Sequence, residues 1–293
     1  MADGEILFEK IIQDGYVDTG ISIEASQHRR ELLESLQTKQ GVLDTGKAYL
    51  RSFISLCDEI KESNAKLQSQ PLFLWAKQGS SSWLYERMNV ERTIADAYTS
   101  AAETETDLKE KRTFYDAAIE YSLHAFDTFV KTTWEDASMT FLPIFQDRFH
   151  MYHIARNTAM HYKTMNEFAV VQNGQNNKTC LRKAFEYMDA AANLWMEDKS
   201  TNKLLHELKA MHTLEIVNDM PLDACGEKTA LLGKYVSIPG TPDAVLAAHR
   251  LLKQQNENVY FQPEETDVVI SPLSLKELFH TLPVKIGGKA ETT

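Results

Sequence analysis

This chain of 293 residues lacks the features that define several large classes of protein. It contains only three cysteines, Cys57, Cys180 and Cys225, which lie far apart and form no Cys-x-x-Cys pair. Their spacing excludes a disulfide framework and a cysteine-based zinc module, and it fits a reducing compartment such as the cytosol. The sequence has neither a run of 18 apolar residues nor a basic N-terminal stretch followed by an apolar one. Neither a membrane span nor a secretion signal is therefore expected.

Basic residues are too few for a typical nucleic-acid binder. The chain carries 31 Lys and Arg against 42 Asp and Glu, a formal net charge of −11. Such a chain repels phosphate backbones and anionic membrane surfaces. We therefore expect no nucleic-acid partner, and any association with a membrane would run through protein partners.

Residues that break helices are scarce in the middle of the chain. Glycine is absent between Gly79 and Gly174, and Pro143 is the only proline in that stretch. Because glycine and proline are the strongest breakers of regular structure, this stretch is predicted to be nearly all helix. Apolar residues recur there at helical spacing in two segments, which begin at Val90 and Phe114. The pattern predicts two long helices that pack on each other.

Helical periodicity continues on both sides of this stretch. Further helices are predicted at about 24–38, 43–64, 143–168, 201–218 and 242–256. The most regular pattern follows the polar loop 173–177, and Thr241 before Pro242 is predicted to cap the last of these helices. Small residues beside aromatic ones are typical of tetratricopeptide packing, although no period of about 34 residues recurs. The sequence therefore predicts an all-α, irregular helical solenoid with a tetratricopeptide-like middle.

The C-terminal segment has a different character. Residues 259–261 and 268–270 are rich in β-branched and aromatic side chains and are bounded by Pro263 and Pro272. They are predicted to be extended, and residues 275–282 to form a short amphipathic helix. Because this C-terminal segment is so apolar, we expect it to pack against the rest of the protein. Residues 1–20 carry no structural assignment.

Residue patterns that support catalysis or metal binding are missing. His150 and His153 would share a helix face, but no carboxylate or cysteine stands at the offset that completes a zinc site. Cys57 lies at helical spacing from apolar residues, which favours a core position over a nucleophile. Neither a glycine-rich phosphate loop nor a Gly-x-Ser-x-Gly turn is present. We therefore expect no catalytic residue, no metal and no cofactor.

Aromatic and sulfur-containing side chains crowd residues 141–168. They are Phe141, Phe145, Phe149, Met151, Tyr152, Met160, Tyr162, Met165 and Phe168. One helix face of ordinary width does not hold so many. The segment is therefore either a helix buried on several sides or part of an apolar groove for a partner helix.

Several sequence blocks line up, in order, with one known family. They are Leu72-Phe73-Leu74-Trp75, Tyr85-Glu86, the helix 114–129 with Ala125-Phe126, the segment 256–262 with Asn256 and Val259-Tyr260-Phe261, and the close 270–284 with Leu278-Phe279 and Pro283-Val284. In this order they resemble the BRO domain of Alix, Brox and rhophilin. The resemblance covers about residues 22–286, and it implies a single domain over 1–293.

The resemblance to BRO domains implies a fold, a partner and a site. It implies a curved, boomerang-like helical solenoid without a catalytic site, which binds the C-terminal amphipathic helix of a Snf7-class ESCRT-III subunit. Such a protein would be an adaptor in endosomal sorting or membrane remodelling, recruited to endosomes through its partners. The match of residues 146–149 places Phe149 at the concave apolar patch, with Tyr152, Leu181 and Phe185 as further contacts.

Two alternatives to the ESCRT-III adaptor stay open. A helical scaffold of the same fold would bind a different protein partner, and a groove filled by Tyr152 and His153 would favour it. A helical enzyme would need a convergent polar pocket, for which the sequence offers no candidate residues.

Overall fold

The computed structural model describes residues 19–63, 73–74, 80–81, 83–131, 147–195 and 198–272, and these residues form an all-α structure. The helices are α1 (Thr19–Thr38), α2 (Val42–Ser63), α3 (Trp83–Thr104), α4 (Leu108–Lys131), α5 (Asp147–Asn173), α6 (Lys178–Leu194), α7 (Lys199–Asp219), α8 (Cys225–Val236) and α9 (Asp243–Gln255). A π-helical turn, Asn256–Tyr260, follows α9. Strand β1 (Phe73–Leu74) pairs antiparallel with β2 (Ser80–Ser81), a minor addition to the helices.

The stretch poor in glycine and proline is mostly helical where the structure describes it, apart from β2 and residues 105–107. Helices α3 and α4 are separated only by residues 105–107, and α5 is continuous for 27 residues. Tyr98 of α3 stacks on Tyr121 of α4, with ring centroids 5.8 Å apart. The predicted pair of long packed helices is therefore confirmed.

The described residues divide into two compact units. The first contains residues 19–105 and 113–150, and the second contains residues 106–112 and 151–272, as far as they are described. The boundary falls within α5, after His150. Consecutive helices pack on each other, α1 on α2 and α2 on α3 in the first unit, and α6 to α9 in the second. This order of contacts is that of a helical solenoid, and the predicted curvature stays a prediction.

The first unit has a core shared by α1, α2 and α3. Its fully buried side chains include Leu32, Phe53 and Ile94. Gly46 allows α2 to lie close to α3, because a Cβ at that position would be only 2.9 Å from Cγ1 of Ile94. A side chain at Gly46 would therefore push these two helices apart.

A buried ionic group ties the same three helices together. The Glu86 carboxylate of α3 accepts hydrogen bonds from Arg29 Nε of α1 (2.8 Å) and from the Tyr49 hydroxyl of α2 (2.7 Å). Although burial alone would lower it, the neighbouring Glu86 raises the pKa of Arg29 above its usual value. Burial and the Glu86 charge raise the pKa of Tyr49. Because a carboxylate inside a protein needs such partners, this group fixes which helix faces meet.

The second unit has two apolar clusters. One joins α5, α6 and α7 and includes Ala159, Met188 and Leu208, and the other joins α7, α8 and α9 and includes Leu232 and Val245. At the start of α6 the side chain of Asn177 accepts a hydrogen bond from Cys180 N (3.1 Å), as an N-cap residue does. The predicted helix after the polar loop 173–177 is therefore confirmed.

The region between α7 and α9 differs from the sequence prediction in two ways. Helix α8 (Cys225–Val236) was not predicted, because Gly226, Gly233 and the nearby prolines obscure its pattern. Thr241 is not the N-cap of α9, since Pro242 occupies that position. The Thr241 hydroxyl instead lies 2.7 Å from the Tyr235 carbonyl oxygen, at the end of α8. The Thr241 hydroxyl therefore donates a hydrogen bond to one of the last carbonyl groups of α8, which have no partner within that helix.

The C-terminal segment packs on the second unit, but not through every residue that was expected to do so. Val268 and Ile270 are partly buried against the two apolar clusters. Tyr260 and Phe261 were predicted to be extended and to cover the body. Instead Tyr260 ends the π-helical turn, Phe261 follows it, and both side chains are exposed. Residues 268–270 form no strand, and the predicted helix at 275–282 lies outside the described residues.

Two polar side chains hold the segment after α9. Asn256 accepts a hydrogen bond from Gln262 N (2.9 Å) and donates one to Gln262 O (2.8 Å). The Gln262 side chain accepts a hydrogen bond from Gly226 N (2.9 Å). A Cβ at Gly226 would lie 2.3 Å from the Pro263 carbonyl oxygen. The absence of a side chain at Gly226 therefore lets the segment cross the first turn of α8.

Candidate functional site

Phe149, the residue that the resemblance places at the binding patch, lies in the first turn of α5. Its side chain is partly buried. The guanidinium carbon of Arg92, on α3, lies 5.7 Å from the centre of the Phe149 ring. A cation over an aromatic face at this distance is attracted by the ring, so Arg92 holds the Phe149 ring in place.

Arg92 is itself fixed by polar neighbours. Its Nε donates a hydrogen bond to the Asp96 carboxylate, its Nη2 pairs with the other oxygen of that carboxylate, and its Nη1 lies 3.3 Å from the Ser122 hydroxyl. Arg92 is buried, whereas the side chain of Asp96 is 56% exposed. A guanidinium held in this way is a rigid support with a positive charge beneath the Phe149 ring.

Aromatic rings also pack around His150, the residue that follows Phe149. His150 is fully buried, and its ring centroid lies 4.9 Å from that of Phe129, 6.0 Å from that of Phe126 and 5.8 Å from that of Phe149. These four rings form an aromatic cluster of the first unit. His150 is the buried member of the cluster, whereas Phe126, Phe129 and Phe149 are each partly accessible.

Tyr152 has a structural role that the sequence did not reveal. Its side chain is buried, and its hydroxyl donates a hydrogen bond to the carboxylate of Asp198 (2.5 Å), the N-cap residue of α7. Burial and the Asp198 carboxylate raise the pKa of Tyr152. Although burial acts to raise it, hydrogen bonds from Thr201, Tyr152 and Ser200 lower the pKa of Asp198. Tyr152 thus ties α5 to the start of α7 and presents no apolar face to a partner.

Leu181 and Phe185 were also predicted to contact the partner, and both are core residues. They lie on α6 with 2% and 1% of their surface exposed, in the cluster that includes Met188 and Leu208. The Phe185 ring stacks on that of His212, with centroids 5.5 Å apart. The expectation that these two side chains form an exposed groove is corrected, because the core of the second unit already covers them.

The burial of α5 decides between the two interpretations of its aromatic residues. None of its residues from Phe149 to Ala169 is exposed. The aromatic and sulfur-containing side chains described there are therefore those of a helix buried on several sides, as the first interpretation had it. Of the four predicted contacts, Phe149 belongs to the first unit and Tyr152, Leu181 and Phe185 belong to the core of the second.

Metal clusters and membrane-spanning helices are two further kinds of functional feature. Across the described ranges, no three or more His, Cys, Asp or Glu side chains come together as they would around a metal ion. The helices of those ranges also include none with the length and apolarity needed to cross a membrane. Comparison with family models, with curated proteins and with solved structures finds no match to this chain.

Sequence reasoning missed the partners of Phe149. Arg92 and Asp96 stand four residues apart on α3, a spacing that predicts an ion pair on one helix face. Nothing in the sequence indicated that Ser122 and Phe149 would meet the same guanidinium. Such contacts depend on how helices pack, which local patterns do not specify.

Proposed function

We propose that this chain is a non-enzymatic adaptor that binds a helix of a partner protein through the surface around Phe149. The observation that carries the proposal is the placement of Phe149, whose partly buried ring rests on an arginine fixed by Asp96 and Ser122. A preorganised aromatic ring loses little conformational freedom on binding, and aromatic anchors of this kind dominate many interfaces.

The proposed partner is the C-terminal amphipathic helix of a Snf7-class ESCRT-III subunit. The resemblance to BRO domains supports this choice, because the family binds that helix at the position that residues 146–149 match. The apolar side of the partner helix would cover the accessible part of the Phe149 ring. Each large apolar side chain that becomes fully buried supplies about 1.5–3 kcal/mol. Binding would recruit the adaptor to endosomes for sorting or membrane remodelling.

The experiment is isothermal titration of the full chain with a Snf7-class C-terminal peptide. Phe149→Asp should fold normally, since the new carboxylate would stand beside the Arg92 guanidinium, and it should lose at least ~2 kcal/mol of binding, more than tenfold in affinity. Val130→Asp is the matched control. Val130 is also apolar, belongs to the first unit and is 64% exposed, and its substitution should leave the affinity unchanged. A wild-type chain that binds no such peptide, or a folded Phe149→Asp chain that binds as tightly, would contradict the proposal.

A second candidate is a helical scaffold of the same fold with a different protein partner. The burial of Tyr152, Leu181 and Phe185 favours it, because three of the four expected contacts are then inaccessible. Titration of the same chain with C-terminal peptides from several ESCRT-III classes separates the two candidates. Binding confined to the Snf7 class supports the first, and binding to none supports the second.

A further inference from the structure

Exposed apolar side chains flank a hydrogen bond between the segment that follows α9 and the loop that joins α7 to α8. Leu222 is 87% exposed, Phe261 76% and Val259 64%. Leu222 and Phe261 come from different parts of the chain, but a hydrogen bond from Gln262 Nε2 to the Asp223 carbonyl oxygen (2.6 Å) joins the residues next to them. We call Leu222, Val259 and Phe261 the C-terminal patch. It lies in the second unit and shares no residue with the surface around Phe149.

The backbone beneath the Phe261 ring is fixed in an unusual conformation. Phe261 has a φ of 51°, in the left-handed region that bulky residues rarely occupy. Its N–H donates to the Asn256 carbonyl oxygen (2.7 Å), and the Asn256 side chain holds both backbone polar groups of Gln262. Strain of this kind persists only where surrounding contacts impose it, and it is concentrated at functional positions. The hydrogen bonds therefore hold an exposed aromatic ring on a rigid turn.

The charge around the patch has one dominant sign. From Lys253 to Pro272 the chain carries four carboxylates and a single basic residue. The exposed carboxylates on this segment and on the adjoining α7–α8 loop belong to Asp223, Glu257, Glu264, Glu265 and Asp267. An excess of exposed negative charge on the segments that carry the patch favours basic partners and repels acidic ones.

We propose that the C-terminal patch binds a basic amphipathic segment of a partner protein. The apolar side of that segment would cover Phe261, Leu222 and Val259, and its Lys and Arg side chains would face the surrounding carboxylates. Because the turn is already fixed, little ordering is needed on binding. The proposal does not depend on ESCRT-III binding at Phe149, since the residues that carry it are different.

The test uses a synthetic helical peptide with leucine on one face and lysine on the other. Its affinity for the full chain is measured by titration at about 0.05 M and 0.5 M salt, beside a peptide in which glutamate replaces lysine. Phe261→Gly is the main variant, because glycine adopts a φ of 51° without strain and the fold should therefore be retained. We expect binding of the lysine peptide only, weaker binding at high salt, and a loss of at least ~10-fold for Phe261→Gly and for Leu222→Ser.

Two control variants separate this surface from others. Val171→Ser removes an apolar side chain that is 75% exposed on α5, and Phe149→Asp alters the other proposed surface. Both should bind the lysine peptide as the wild-type chain does. No binding of that peptide, equal binding of the glutamate peptide, or unchanged affinity in Phe261→Gly would overturn the proposal. So would a Phe261-dependent dimer in sedimentation, or Phe261-dependent binding to vesicles of phosphatidylcholine and phosphatidylserine in place of the peptide.

Discussion

Replacing Arg29 by methionine tests how the first unit is held together. Arg29 and Glu86 are 4% and 0% exposed, and Arg29 Nε lies 2.8 Å from a carboxylate oxygen that also accepts the Tyr49 hydroxyl. Removing the guanidinium leaves a buried carboxylate without this cation. Breaking one partner of a buried ion pair costs about 3–5 kcal/mol, far more than the loss of a surface pair.

A double variant separates the charge from the packing. In Arg29→Met with Glu86→Gln, the charge that needed a cation is gone and the amide oxygen still accepts from Tyr49. The double variant should therefore be more stable than Arg29→Met alone, although it carries one more substitution. Such behaviour distinguishes an uncompensated charge from a packing defect, which the second substitution would not repair.

The assay is urea unfolding followed by far-ultraviolet circular dichroism. Glu34→Gln is the matched control, because Glu34 is exposed on the same helix as Arg29, and it should change the free energy of unfolding by less than ~0.5 kcal/mol. If Arg29→Met costs less than ~1 kcal/mol, or if the double variant is the less stable of the two, the assignment of this group as the link between α1, α2 and α3 is wrong.

Three further predictions concern the second unit. Gly226→Ala should lower the free energy of unfolding in urea by ~1–3 kcal/mol, because its Cβ would lie 2.3 Å from the Pro263 carbonyl oxygen. Gly233→Ala is the control and should leave the stability unchanged or raise it. Equal effects of the two substitutions would refute the close contact between α8 and the C-terminal segment. Tyr152→Phe should cost ~1.5–3 kcal/mol by the same assay, since it removes a hydrogen bond to a charged N-cap, and an unchanged midpoint would contradict this. Burial lowers the pKa of His212, so below ~6.5 the unfolded chain binds more protons than the folded chain, and the stability that neutral His212 contributes is lost as pH falls. His212→Gln should therefore weaken the pH dependence of the melting temperature between pH 8 and pH 5. An identical pH dependence in this variant would refute the prediction.

The helices could be predicted from sequence wherever local signals were strong. The helix from Lys178 follows a capping asparagine and repeats an apolar stripe, and α3 and α4 lie in a stretch without glycine. Helix α8 was missed because Gly226 weakens the helical pattern. Glycine is required there because the Pro263 carbonyl leaves no room for a Cβ, and a local sequence pattern does not predict this long-range contact.

The candidate site was less predictable, because its residues are defined by distant contacts. Tyr152 was predicted to be a groove residue, yet it is buried in the core of the second unit and donates a hydrogen bond to Asp198, 46 residues away. Phe261 ends a run typical of strands, but the two hydrogen bonds between Asn256 and Gln262 impose a turn instead. Residue type and period say which side chains are apolar, and tertiary contacts decide which of them stay accessible.

Binding at the surface around Phe149 can be observed directly through the arginine beneath the ring. The measurement is a ¹H–¹⁵N spectrum of the arginine Nε groups of the full chain, recorded while a Snf7-class C-terminal peptide is added. Arg92→Lys and Arg29→Lys variants identify the two signals of interest. The Arg92 signal should shift as the peptide covers the Phe149 ring, while the Arg29 signal, from a group buried against Glu86, should stay in place. A peptide that binds without moving the Arg92 signal, or that does not bind at all, would contradict the proposed adaptor function.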